Sequence, residues 1–248
     1  ATGAIAMGAA SITEGLTGLP LPTDVSERSP IHRQLRAADA VFGDVAGAIL
    51  PVRYREGDEE EVARELGLVD LSTLQRLGFK GRAVLSQMNA AGAALEFRPN
   101  RAFRQEDGTL AAVLAMTEVL LLSPLNGHAW ALKKLKRDWS IDTADGSYLV
   151  PRQDSHFWFT VTGRHTSSMF AKICGVDLRP KSFSDLAVAQ TSIARSNAIV
   201  IRDDQGKTPA YHLLGDSASA SYIWDCLLDA MAEWKGRPVG LNALLALR

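Results

Sequence analysis

Two histidines, with acids and hydroxyls near them, carry most of the chemistry this sequence can offer. His156 and His165 stand nine positions apart, with Asp154 and Asp177 nearby. A metal needs converging ligands, and no HxH or HxxxH spacing brings these to one face of a strand or helix. Ser167-Ser168 follow His165 in the order of a base and a nucleophile, but paired helical serines ordinarily face solvent. Phe157-Trp158-Phe159 could stack a flat ligand, though alternating strand aromatics more often divide between core and partner contact. Cys174 and Cys226 form no CxxC pair, which argues against a disulfide framework and leaves too few ligands for structural zinc. Cys226 sits among apolar residues and reads as a small hydrophobe. The phosphate cradles of nucleotide and dinucleotide sites, a Walker loop or G-x-G-x-x-G after a strand, are missing.

The elements that must position these residues fall into two runs of similar grammar: strand, helix, paired strands, helix. Ahead of them, residues 46–54 read as an apolar strand interrupted by Pro51. Acids at Glu59-Glu60-Glu61 suit the first turn of a helix, which Gly67 closes as a C-terminal cap. The spacing predicts a strand over 74–79 and a helix over 82–91 with Val84, Leu85 and Met88 inward. Asp107-Gly108 marks a hairpin turn, residues 110–116 and 118–123 pair as strands, and 127–139 returns to helix. The second run has a half-buried strand over 156–162, a helix over 164–173, and strands over 197–202 and 210–214. The cluster Asp203-Asp204-Gln205-Gly206 turns between those last strands. Asp216 or Ser217 then caps a long helix to Trp234, its apolar face formed by Tyr222, Ile223, Cys226, Leu227, Ala230 and Met231.

The composition is that of an ordinary globular protein: 248 residues, 46% apolar, 22% charged, formal net charge −1. Such a balance gives no overall field for nucleic acid or an anionic membrane. The basic run 133–137 is read as one solvated helical face. No apolar stretch approaches the roughly 20 residues that span a bilayer. Residues 1–25 lack the basic start of a signal peptide and read as a flexible arm. A cytoplasmic location is the expectation.

The segment Gly67-Leu68-Val69-Asp70-Leu71-Ser72, entered from an acidic helix, resembles the glycine-cleavage T-protein (aminomethyltransferase) and sarcosine oxidase family. His32, Ala38, Phe42 and Pro51-Val52-Arg53-Tyr54 match its opening, and Gly81-Arg82-Ala83 stands at a later turn. In the second half, residues 188–195, 199–202, 221–225 and 238–241 are similar to the γ subunit of heterotetrameric sarcosine oxidase. The resemblance covers roughly 29–248. It implies an α+β fold of two interleaved αβ modules, like the folate-binding domains 1 and 2 of T-protein without its C-terminal barrel. Residues 26–56 with 155–248 would form the first module, and 57–154 the inserted second.

The departures from the family pattern shape the functional expectation. Where active T-proteins carry paired aspartates at the reacting amine, this sequence reads Gly108-Thr109-Leu110-Ala111-Ala112, and alanine neither moves a proton nor stabilises a cation. Where the family grips the pterin edge with a glutamate, this sequence has His212, and one imidazole cannot accept two parallel N–H bonds. The resemblance therefore implies a non-catalytic accessory subunit of a sarcosine-oxidase-like flavoenzyme, shorter than T-protein as the γ subunit is. Its partners would be large flavoprotein subunits carrying flavin and NAD, and it would hold no cofactor of its own, or tetrahydrofolate. Tyr54, Leu74, Asn126, Arg195 and His212 would line a vestigial folate pocket. The alternative is a stand-alone tetrahydrofolate-dependent aminomethyl or methyl transferase with a rearranged site, drawing its carboxylate from Glu106, Asp107 or Glu118. The tRNA-modifying branch of the family carries a Lys-Gly-Cys-x-x-Gly-Gln-Glu motif, which this sequence lacks.

Overall fold

The computed structural model describes residues 27–55, 57–142 and 146–248. The arm expected over 1–25 lies outside them. Helix α1 (His32–Ala37) leads into a hairpin of β1 (Ala40–Val45) and β2 (Ala48–Tyr54), then α2 (Glu59–Leu66) and β3 (Gly67–Asp70). Next come β4 (Arg76–Gly81), α3 (Val84–Ala90), β5 (Arg101–Arg104), β6 (Leu110–Ala115), β7 (Glu118–Leu122), α4 (Trp130–Asp138) and β8 (Ser147–Pro151). The chain then runs through β9 (His156–Thr162), α5 (Thr166–Phe170), β10 (Val188–Ile193), β11 (Ser196–Arg202), β12 (Ala210–Asp216), α6 (Ala220–Met231), β13 (Arg237–Pro238) and α7 (Leu241–Leu245).

Two sheets result, of order β10-β11-β12-β9-β3-β13 and β5-β6-β7-β4-β8, beside the β1–β2 hairpin. They stack as the middle layers of a helix–sheet–sheet–helix arrangement. One face of the first sheet, with Phe159, Val161, Leu213 and Tyr211, buries against Met169, Phe170, Ile223 and Leu227 of α5 and α6. Its other face, with Val69, Trp158, Ile201 and Leu214, meets Leu110, Ala112, Leu114 and Leu120 of the second sheet. The outer face of the second sheet is covered by Val84, Leu85 and Met88 of α3 and Leu132 of α4. The period-2 alternation of strands assigns each residue to a layer, so Ala111 points outward and Ala112 toward the first sheet.

Several elements depart from the sequence reading, each for a physical reason. β3 was expected within the module 57–154, yet it pairs antiparallel with β9 of the first sheet, Gly67 opposite Thr162 and Asp70 opposite Phe159. α2 packs with it against β9 and α7, so the strands of the second sheet occupy only 76–151. β9 is not half-buried: it is the fourth of six strands with a layer on each side, and residues 157–162 are all buried. Gly67 is no left-handed cap, since its backbone is extended (φ −112°). Glycine fits there because a Cβ would stand 2.9 Å from Val239 Cγ2 and 3.2 Å from Thr162 Cγ2. Pro51 does not break β2. It lies in a two-stranded hairpin, where a register shift at Val41/Phe42 absorbs its missing N–H. At the C-terminal end, Leu241 and Leu244 of α7 are fully buried, and α7 packs on β2.

Candidate functional site

The chain crosses from the first sheet to the second through 71–75 and returns through 152–155, and one guanidinium ties the two crossings together. Arg76 opens β4 and is 3% exposed. Its Nη1 donates to the carbonyls of Ser72 (2.8 Å) and Leu74 (2.9 Å), and its Nε to that of Arg152 (3.1 Å). Its Nη2 donates to the carbonyls of Gln153 (2.5 Å) and His156. All five acceptors are main-chain oxygens, so Arg76 clamps backbone to backbone. Burial pulls its pKa down to about 10, opposed by the charges of Asp70, Glu27 and Asp154. Asp70 Oδ1 accepts from the Ser72 amide (3.1 Å) and hydroxyl (2.6 Å). Burial raises the Asp70 carboxyl despite these bonds.

Deeper between the sheets lies a buried polar relay. Trp158 Nε1 donates to His212 Nδ1 at 3.1 Å. An indole N–H can only donate, so Nδ1 is an acceptor and the ring proton sits on Nε2, 3.2 Å from Asp203 Oδ2. Thr160 Oγ1 is also 2.8 Å from Nδ1. Arg104 reaches over from β5 to Asp203 (2.6 Å) and Asp185 (3.1 Å). Burial pushes the Asp203 carboxyl up, but the His212 hydrogen bond and the Arg104 charge outweigh it and hold it at about 2. The relay therefore latches first sheet to second.

A groove of about 1070 Å³ opens along β10, β11 and β12 of the first sheet. Gln190, Ser192, Asn197, Asp216 and His156 line it. Arg152 Nη1 lies 3.2 Å from His156 Nε2, and a guanidinium can only donate, so the ring proton is on Nδ1, 2.8 Å from Ser155 Oγ. Burial, then the charges of Arg152 and Arg76, lower the His156 pKa to about 4. With both nitrogens engaged, the ring is a neutral structural group rather than a poised base. Asp216 Oδ1 accepts from the Ala218 amide at 2.9 Å, capping a short turn.

None of the five residues proposed from the resemblance lines this groove. Leu74 and His212 are buried in the inter-sheet layers. Tyr54, at the end of β2, is 6% exposed; burial, then Asp70 and Glu59, raise its phenol far above its usual value. Asn126 is exposed in a turn, its Oδ1 accepting from the His128 amide. Arg195 is exposed at the tip of the β10–β11 hairpin with φ +67°. Of the substitute carboxylates, Asp107 accepts from Thr109 and Ala131 amides, Glu118 is paired with Arg152 and Lys80, and Glu106 is exposed. Among the described residues, no three of His, Cys, Asp and Glu gather as metal ligands. Sequence reasoning missed Arg76, although a lone arginine within the apolar run 74–79 was a signal. It also read Asp203 as a turn residue.

Two interlocked sheets, antiparallel except where β13 pairs parallel with β3, with helical outer layers and a side-chain-filled interior, define a particular class of α+β protein. A family model for the GCVT N-terminal domain matches residues 31–248, and the chain belongs to that family. A heterotetrameric sarcosine oxidase from Corynebacterium sp. U-96, in complex with pyrrole 2-carboxylate, is similar in fold (TM-score 0.63). It has 18% identity over 84% of this chain and 96% of its own. The glycine cleavage system aminomethyltransferase T of Bartonella henselae is likewise similar (TM-score 0.66). It has 17% identity over 88% of this chain, which spans only 61% of the aminomethyltransferase's length. No curated protein sequence matches the chain. No helix among the described residues is long and apolar enough to cross a membrane.

Proposed function

We propose that this chain is a non-catalytic subunit of a multi-subunit, sarcosine-oxidase-like flavoenzyme acting on an N-methyl amine. In this reading, flavin and NAD sit on large partner subunits. The observation that carries it is the carboxylate-free strand β6: Ala111 and Ala112 are both fully buried, and Ala112 packs in an apolar layer with Leu114, Leu120 and Trp158. A one-carbon transfer to or from an amine needs a group that moves a proton or steadies positive charge, and that position supplies neither. Tetrahydrofolate fits poorly as well. Its pterin edge calls for a two-oxygen acceptor, whereas both nitrogens of His212 are committed to Trp158, Thr160 and Asp203. A stand-alone transferase would need one of Glu106, Asp107 or Glu118, and the last two are already engaged as a cap and an ion pair.

The test is purification of the chain from its native source, with mass spectrometry of what co-elutes and calorimetric titration with tetrahydrofolate. Co-elution with flavoprotein subunits and no heat of folate binding are the expected results. A lone chain that binds tetrahydrofolate tightly and transfers a one-carbon unit overturns the proposal.

A further inference from the structure

The outer face of the second sheet carries two pockets that nothing described so far uses. Both open along the groove between α3 and α4, and Ala91 and Leu135 border each of them. The first, about 190 Å³, has Thr109 in its wall. Thr109 is fully buried and its hydroxyl has no hydrogen-bond partner among the described residues. The second, about 210 Å³, is walled by Phe79, Met88 and Trp139, and the buried Trp139 Nε1 is likewise unpartnered. The walls of the first pocket are pinned: Gln105 Oε1 accepts from the Ala94 amide (2.8 Å), Asp107 Oδ2 from the Ala131 amide (2.9 Å), and Lys134 Nζ donates to the Ala91 carbonyl (3.0 Å). A cavity of roughly 150 Å³ holds a benzene ring, so each pocket is the size of one aromatic side chain.

The rim carries four cations of α4, Lys133, Lys134, Lys136 and Arg137, against the acids Glu106 and Asp138. Trp130, 53% exposed, Lys133 and Arg137 stand at i, i+3 and i+7 on the outward side of α4. Lys134 and Arg137 share Asp138, while Lys133 and Lys136 meet no acid among the described residues. In a chain of net charge −1 this is a local concentration of cations. We infer that the α3–α4 groove grips a partner polypeptide through an acidic segment bearing an aromatic side chain; the inference rests on the proposed subunit role and names the face that role uses. A tyrosine in the first pocket would satisfy the Thr109 hydroxyl, a carbonyl or carboxylate in the second would accept from Trp139, and flanking acids would meet Lys133 and Lys136. Exposed Trp130 is of the residue type that dominates interface energetics. Nucleic acid would use the cations but leave both pockets empty.

The probe is the peptide acetyl-Asp-Glu-Tyr-Glu-Asp-amide, titrated into the nitrogen-labelled chain and followed by amide NMR. Saturable shifts are expected at the Thr109 amide and at the indole N–H groups of Trp130 and Trp139. Trp130→Ala or Lys133→Glu, both surface changes, should weaken binding about tenfold, as should alanine in place of the peptide's tyrosine. Absence of binding, shifts confined to other residues, or affinity indifferent to these changes overturns the inference. So does stronger binding of a DNA duplex or anionic vesicles at the same residues. In the native-source preparation, Trp130→Ala should cut recovery of the flavoprotein partner about tenfold. If the partner is retained, this face is wrong and the subunit role stands; if wild type brings no partner while the peptide still binds, the subunit role falls and the site stands.

Discussion

Removing the Arg76 clamp should cost the protein much of its stability. Arg76→Ala strands five carbonyl acceptors. Those of Ser72 and Leu74 belong to buried residues, while Arg152, Gln153 and His156 are only partly buried and water can reach them. A buried acceptor left unsatisfied costs about 1–3 kcal/mol, and rehydrated ones cost little. The two buried oxygens, with the lost packing of the side chain, give a penalty of about 4 kcal/mol, against a total stability of about 5–15 kcal/mol. For a chain of this size that lowers Tm by about 8–16 °C. Arg76→Lys keeps the charge but replaces a planar five-donor fork with three donors on one atom, so about half the loss should return. Urea unfolding followed by tryptophan fluorescence measures both. A loss below about 1 kcal/mol for Arg76→Ala would refute the clamp, since neither crossing segment would then depend on it.

Arg195→Gly should stabilise the protein by about 0.5–1 kcal/mol, seen as a small rise in Tm, because Arg195 holds φ +67° in a hairpin turn where glycine is unstrained. His156 makes stability depend on pH. Its folded pKa lies near 4, below the ordinary 6.5, so the unfolded chain takes up a proton first as pH falls. Its contribution is whole above pH 6.5 and is lost as pH falls toward 4; His156→Gln should flatten that part of a Tm-versus-pH curve. Ala112→Asp should destabilise by about 3 kcal/mol or more, as measured by urea unfolding, because it buries an unpaired carboxylate in an apolar layer.

Local grammar was readable where local forces decide. Asp107-Gly108 turns between β5 and β6, β6 pairs with β7, and Val84, Leu85 and Met88 are the buried side of α3, all as the spacing predicts. Allegiance was not readable. A four-residue buried strand such as Gly67–Asp70 can join either sheet, and only the pairing with β9, far along the chain, decides between them. The same holds for the site. The alanines at 111 and 112 are plain in the sequence, but that His212 is spent on Trp158 and Asp203 depends on three strands meeting.

The neighbouring positions of β4 and β8 bear on how the chain reaches this structure. Joining β3 to β9 directly means closing a loop of about 90 residues, from Asp70 to Phe159, before any hydrogen bond repays it. Leu77 and Pro151, however, are paired within the second sheet. Once that sheet has formed, only the seven residues from Asp70 to Leu77 and the eight from Pro151 to Phe159 remain to be ordered. The closure entropy falls by about 1.5 kcal/mol, roughly a tenfold gain in the chance of encounter. Loop-closure entropy therefore predicts that the second sheet forms first and delivers β3 and β9 to each other; pulse-labelled hydrogen exchange that protects β9 before β4 would contradict that order.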